Sequence, residues 1–138
     1  MSKPAIRVVA GIIYSADQTS VLLALRKPDQ HQGNCWEFPG GKIETNESQE
    51  DALARELFEE LNINPTHFKL YFDITHDYAD KSVHLYFYKV TAFSGEPKGR
   101  ENQRIKWFAL EDIAALEFPA GNKPVLAKLV AEESSHKH

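Results

Sequence analysis

In the stretch "ARELFEELNI", residues 54 to 63, Glu56 stands three positions before Glu59 and four before Glu60. On a helix these spacings make the carboxylates direct neighbours, and each like-charge pair costs an isolated helix a few tenths of a kcal/mol. Two arrangements can offset the repulsion. One is a solvated outer face in which Arg55 pairs with Glu59 at i,i+4. The other is a shared hard divalent cation, which prefers oxygen ligands from carboxylates, backbone carbonyls and water. Gly40-Gly41, just upstream of the helix, adds to the second reading, because a glycine without a side chain lets a ligand approach the main chain closely. Such a site suits phosphate chemistry. Water attacking phosphorus is repelled by the charged oxygens until cations neutralise them. Metal coordination lowers the pKa of that water, and a nearby carboxylate can take its proton.

A helix must hold these glutamates, and its limits are legible. Ser48 followed by Asp51 is a capping-box arrangement, in which each side chain can satisfy a free backbone N–H. The end falls near Asn62, with Pro65 shortly beyond. At about 100° per residue, Leu53, Ala54, Leu57, Phe58 and Leu61 form the expected buried arc, with Arg55, Glu56, Glu59 and Glu60 on the opposite side.

Around this helix the chain reads mostly as strands. Alternation and β-branched content mark residues 6–14 and 20–27 as two strands of a hairpin, joined by the polar turn "SADQT". "CWEF" (35–38) is apolar enough for a short strand, stopped by Pro39-Gly40-Gly41. The aromatic and β-branched runs 67–78 and 82–93 predict two more strands, with a hairpin turn at 79–81. After the polar loop "SGEPKGRENQ" come a strand at 104–110, a short helix at 111–116 and a last helix at 122–133, with Pro124 tolerated in its first turn. This order predicts a mixed α/β fold layered around a sheet. Residues 1–138 are expected to form one domain, with 132–138 as a flexible tail.

Composition narrows the class. With 42% hydrophobic and 26% charged residues the chain has the proportions of a globular protein. A net charge of −4 argues against a protein that grips the backbone of polymeric nucleic acid. It leaves room for a single nucleotide, because a bound cation can bring the positive charge. One cysteine, Cys35, allows no intrachain disulfide and no cysteine-rich metal site. No apolar run approaches the roughly 20 residues that cross a bilayer, so neither secretion nor a membrane anchor is expected, and a cytoplasmic protein is; separately, a monomer is expected.

The combined spacing of these residues is more specific than any one of them. Gly41, five residues, Glu47, seven residues, Arg55-Glu56-Leu57, one residue, Glu59-Glu60, one residue, Asn62-Ile63 resembles the signature of the Nudix hydrolase family. It departs only at Asn62, where the family has glycine; Asn is the second choice for a left-handed helix end. The resemblance implies the Nudix fold, a mixed β-sheet sandwiched between α-helices (α/β/α). It also implies hydrolysis of a phosphoric anhydride in a nucleotide. Beyond the signature, "WEFPGGKIE", "PTHFKL", "GEPKG" and "FPAGNKPVLAKL" look like the branch of the family that hydrolyses 8-oxo-dGTP to 8-oxo-dGMP and pyrophosphate, which keeps the oxidised base out of DNA.

Carried over position by position, that resemblance implies that Glu56, Glu59, Glu60, Glu101 and the carbonyl of Gly40 bind Mg²⁺, with Mn²⁺ as a substitute. Glu47 and Arg55 brace the cluster. Arg26 and Lys42 match basic residues near the triphosphate, His31 a loop residue of the pocket, and Phe38 and Tyr78 its apolar walls, with Gly41 beside the phosphates. Tyr78 stands where the branch has phenylalanine. Either Glu56 or Glu101 would serve as the general base, Glu56 being favoured.

Asn122 matches the asparagine that reads the base, and its chemistry agrees. Oxidation at C8 turns guanine N7 from an acceptor into an N–H donor while O6 still accepts, and a carboxamide offers an acceptor and donors side by side. The competing reading is a helix N-cap ahead of Lys123 and Pro124. His67, His76 and His84 lack ligand spacing, Cys35 reads as a small buried apolar residue, and Trp36 and Trp107 as core. Two other functions compete: a Nudix pyrophosphatase of broader or pyrimidine specificity, acting on CTP or 5-substituted cytidine nucleotides, and a nucleotide-binding module without turnover. The complete glutamate set speaks against the second.

Overall fold

The computed structural model describes residues 4–27 and 33–135. Seven strands, β1 (Ala5–Tyr14), β2 (Ser20–Leu25), β3 (Trp36–Glu37), β4 (Gly40–Lys42), β5 (Asn64–Asp77), β6 (Ser82–Ser94) and β7 (Ile105–Ala109), form one sheet with the path β3-β2-β1-β6-β5. Helix α1 (Gln49–Leu61) follows β4, and α2 (Lys123–Ser135) closes the described chain. The sheet is mixed. β1 runs parallel to β6 over nine residue pairs, from Ala5↔Ser82 to Ile13↔Val90, while its pairings with β2 and β4 are antiparallel.

Alternation along β1 sends its side chains to two cores. Ala10, Ile12 and Tyr14 pack with Phe87, Phe118, Val125 and Leu129 beneath α2. Val9 and Ile13 pack with Leu53, Leu57 and Leu61 of α1. The result is the expected α/β/α sandwich, and both predicted hairpins are present.

Several expectations are corrected. Gly40 and Gly41 do not merely break a strand; they form part of β4 and pair with Ala10 and Val9 of β1. The segment at Leu110–Ala115 is a 3₁₀ helix. Helix α2 runs through Ser135, so residues 132–135 are helical rather than a flexible tail, and Glu132 pairs with Lys128 at 3.0 Å. Phe58, expected in the buried arc of α1, is 45% exposed. Trp107 is 38% exposed and Cys35 half-buried, whereas Trp36 packs on the core against Phe108. No helix among the described residues is long and apolar enough to cross a membrane.

Candidate active site

Helix α1 begins and ends as its local sequence requires. Asp51 N–H donates to Ser48 Oγ at 3.0 Å, and Asn62 closes the helix in the left-handed region with φ of 64°. Between these caps Arg55 organises the acidic face. Its Nε and Nη2 donate to the two oxygens of Glu47 at 2.7 and 2.9 Å, while Nη1 reaches Glu56 at 2.9 Å and Glu59 at 3.1 Å. Nη2 also donates to the Lys42 carbonyl at 3.0 Å, tying α1 to β4. The Arg55 guanidinium, helped by the Glu44 N–H, holds the Glu47 carboxyl down to about 2. Arg55 thus links Glu47 to Glu56, Glu59 and β4.

Glu60 corrects the helical projection. It stands seven residues after Leu53, two turns along the same stripe, and is only 9% exposed instead of lying on the outer face. Its carboxylate accepts the Gly40 N–H at 3.0 Å. Burial, and then the charges of Glu37, Glu56 and Glu101, push its carboxyl up to about 9. Burial also raises Glu56, against the lowering pull of Arg55. Glu59 is half exposed, and Glu101 reaches the cluster from the loop between β6 and β7. A Cβ on Gly41 would lie 2.3 Å from the Glu56 carboxylate, so this glycine makes room for a side chain of the cluster itself.

Carboxylate and carbonyl oxygens are the donor set of a hard divalent cation. Among the described residues no three of them stand ready as a cage, and Arg55 holds Glu56 and Glu59. A buried carboxyl crowded by three other acidic groups is nonetheless where a cation relieves most repulsion, so the residues present fit one.

Two cavities share lining residues, and the smaller lies beside this cluster. One of about 90 Å³ is lined by Arg26, Glu37, Glu60, Glu101 and Gln103. The other, about 200 Å³, is lined by Arg26, Glu37, Tyr78, Lys81, Gly121 and Asn122, with apolar side chains such as Val83 and Leu85. Arg26 and Glu37 face both, joined at 2.8 Å. Glu37 was not singled out from the sequence. The signal available was a charged residue between apolar Trp36 and Phe38; burial raises its carboxyl while Arg26 opposes the rise.

Asn122 is 9% exposed, and its Oδ1 has no hydrogen-bond partner among the described residues. It ends a 3₁₀ turn, Ala120–Asn122, that leads directly into α2 and has no side-chain cap bond. Because Oδ1 accepts no N–H among the described residues, Asn122 does not cap α2, and the residue lines the larger cavity. Tyr78 lines the same cavity. Phe38 lies beneath it in the core, 5.3 Å from the Phe118 ring and 6.1 Å from that of Phe87. Lys42 is exposed at the end of β4 and lines neither cavity. His31 lies outside the described residues. His84 is paired with Asp73 at 2.7 Å on the β5–β6 surface, away from these cavities.

Comparison with known proteins agrees with this geometry. The NUDIX domain family matches residues 9–128. The 8-oxo-dGTP diphosphatase of Escherichia coli K12 is 40% identical over 124 residues, covering 90% of this chain and 95% of that protein. The CTP pyrophosphohydrolase of the same organism is 38% identical over 114 residues, covering 83% of this chain and 82% of that protein. A solved MutT structure, from a study of the Aliivibrio salmonicida and Vibrio cholerae proteins, superimposes with a TM-score of 0.82 at 40% identity and covers 93% of this chain and 98% of that one. With a family match over most of its length, relatives of 40% identity that cover nine-tenths of it and the acidic helix set against β4, the chain belongs to the Nudix hydrolase family.

Proposed function

We propose that this Nudix hydrolase acts on 8-oxo-dGTP, releasing 8-oxo-dGMP and pyrophosphate, with Mg²⁺ as its metal. The observation that carries the substrate is Asn122, whose Oδ1 is buried without a partner among the described residues, in the lining of a cavity that shares Arg26 and Glu37 with the one beside the acidic cluster. Guanine oxidised at C8 presents N7–H to that acceptor and O6 to the amide N–H₂. Normal guanine would set a lone pair against Oδ1, and a buried polar group left mismatched costs about 1–3 kcal/mol. Tyr78, Val83 and Leu85 supply apolar surface for the rest of the base.

Arg26, paired with Glu37 and lining both cavities, would meet the phosphates between the base pocket and the glutamates. Glu56, Glu59, Glu60, Glu101 and the Gly40 carbonyl would hold the cation, which when bound neutralises phosphate oxygens and polarises the scissile bridge. Glu56 serves as the general base: burial raises its basicity, and Arg55 fixes one of its oxygens. Glu47 and Arg55 keep the cluster in register with β4.

The similarity to a CTP pyrophosphohydrolase supports a second reading, in which a pyrimidine nucleotide enters the same cavity. Initial rates on 8-oxo-dGTP, dGTP and CTP at low substrate with Mg²⁺ separate the two. Preference for 8-oxo-dGTP supports the first reading; equal kcat/KM on 8-oxo-dGTP and dGTP overturns it.

A further inference from the structure

The loop that carries Glu101 is fastened to the C-terminal end of α1. The last carbonyls of a helix lack intrahelical partners, and here the loop supplies several. Lys98 N–H donates to the Leu61 carbonyl and Arg100 N–H to that of Glu60, each at 2.9 Å. The Arg100 side chain donates to the Phe58 carbonyl at 3.1 Å, its guanidinium lying 5.1 Å from the Phe58 ring centroid. These contacts stop at the residue before Glu101. Glu101 itself stands in a tight turn: Asn102 is left-handed with φ of 63°, and its N–H donates to the Gly99 carbonyl at 3.3 Å. A Cβ on Gly99 would meet the Gln103 carbonyl at 2.2 Å, so the turn closes against Gln103 only because residue 99 is glycine.

The Gln103 carboxamide completes the link. Its Oε1 accepts the Glu101 N–H at 2.9 Å, and its Nε2 donates to the Glu60 carbonyl at 3.4 Å. The side chain is half-buried and lines the small cavity that Glu60 and Glu101 share. One neutral group therefore bridges the backbones of two acidic residues that come from a helix and a loop about forty positions apart in the chain. A charged side chain in this place would either repel the carboxylates or compete for them; an amide does neither.

We infer that Gln103 is a positioning residue, whose carboxamide bridge between the backbones of Glu60 and Glu101 holds the loop carboxylate in the cation site. The inference rests on the reading of Glu60 and Glu101 as members of one such site. Outer groups that orient metal ligands typically change metal affinity about 10–100-fold when removed.

The test is Mn²⁺ binding to the intact protein, measured without nucleotide from the free-Mn²⁺ electron paramagnetic resonance signal. Gln103→Met keeps the length of the side chain and removes both hydrogen bonds; Gln103→Asn, too short to span both backbones, replaces it if Gln103→Met fails to fold. Either should weaken Mn²⁺ binding by about tenfold or more. The loss should vanish in a Glu101→Gln background, because the bridge then has no carboxylate to position. A merely structural role would give the same loss in both backgrounds and overturn the inference. So would unchanged Mn²⁺ binding in Gln103→Met while Glu60→Gln and Glu101→Gln weaken it. If neither glutamate variant changes Mn²⁺ binding, the cation-site reading itself falls, and this inference with it.

Discussion

Arg55 and Glu47 are joined by two parallel hydrogen bonds, Nε to Oε2 at 2.7 Å and Nη2 to Oε1 at 2.9 Å, while Nη1 of the same guanidinium reaches Glu56 and Glu59. This fork needs the planar donor set of arginine, which a lysine ammonium cannot reproduce. Arg55→Lys should lower metal affinity and turnover by about 10–100-fold. Lysine keeps the charge, so the melting temperature should change far less than metal affinity. Metal titration of activity beside a thermal melt checks this; full activity with a lowered melting temperature would make Arg55 structural only.

The buried carboxyl of Glu60 predicts how the metal-free protein responds to pH. Its folded pKa is about 9 against an ordinary 4.5, so between those values the folded state keeps a proton that the unfolded chain releases. The stabilisation is fully present below 4.5 and is lost as pH rises toward 9. Glu47 has the opposite sign, its contribution fading as pH falls from 4.5 toward 2. Melting temperature measured with chelator should decline from pH 5 to 9, and Glu60→Gln, which cannot ionise, should flatten that decline. Divalent cation should stabilise the native protein more at pH 9 than at pH 6. Identical slopes for both proteins would contradict the burial argument.

Asn122 separates base reading from helix capping by two measurements. A cap replaced by alanine costs about 1 kcal/mol of stability. Because Asn122 Oδ1 has no partner to lose among the described residues, Asn122→Ala should leave the melting temperature nearly unchanged. Its preference for 8-oxo-dGTP over dGTP should fall about 10–100-fold, the scale of one mismatched buried polar contact. An unchanged kcat/KM ratio would remove Asn122 from base recognition.

What the sequence disclosed and what it hid follow from contact range. The limits of α1 were readable because Ser48–Asp51 and Asn62 act within a few residues of themselves. The hairpin at 79–81 was readable for the same reason, and Tyr78 N–H indeed donates to the Lys81 carbonyl. The parallel pairing of β1 with β6 joins residues more than seventy apart, and no local pattern encodes it. Glu37 escapes a sequence reading because its surroundings, Arg26 and Glu60, are brought to it only by the folded chain. Glu60 is different: the seven-residue step from Leu53 already placed it on the buried stripe, and the expectation of an outward face misread that step.

Gly40 and Gly41 are adjacent in β4, yet alanine should fail differently at each. At Gly40 the new Cβ would lie 1.9 Å from the Val9 carbonyl oxygen, a backbone atom fixed in the β1–β4 ladder, so Gly40→Ala should destabilise the sheet. At Gly41 it would meet the end of the Glu56 side chain, 2.3 Å from its carboxyl carbon, and that side chain can swing away. Gly41→Ala should therefore fold with a melting temperature close to that of the native protein. Displacing Glu56 breaks its 2.9 Å hydrogen bond with Arg55 and moves the proposed base, so kcat should fall at least about 100-fold, the lower range for losing a positioned general base. Far-ultraviolet circular dichroism, a thermal melt and kcat on 8-oxo-dGTP measure both halves of the contrast. A folded Gly41→Ala protein with native kcat would mean that Glu56 works equally well from another position, and the base would then have to be sought at Glu101.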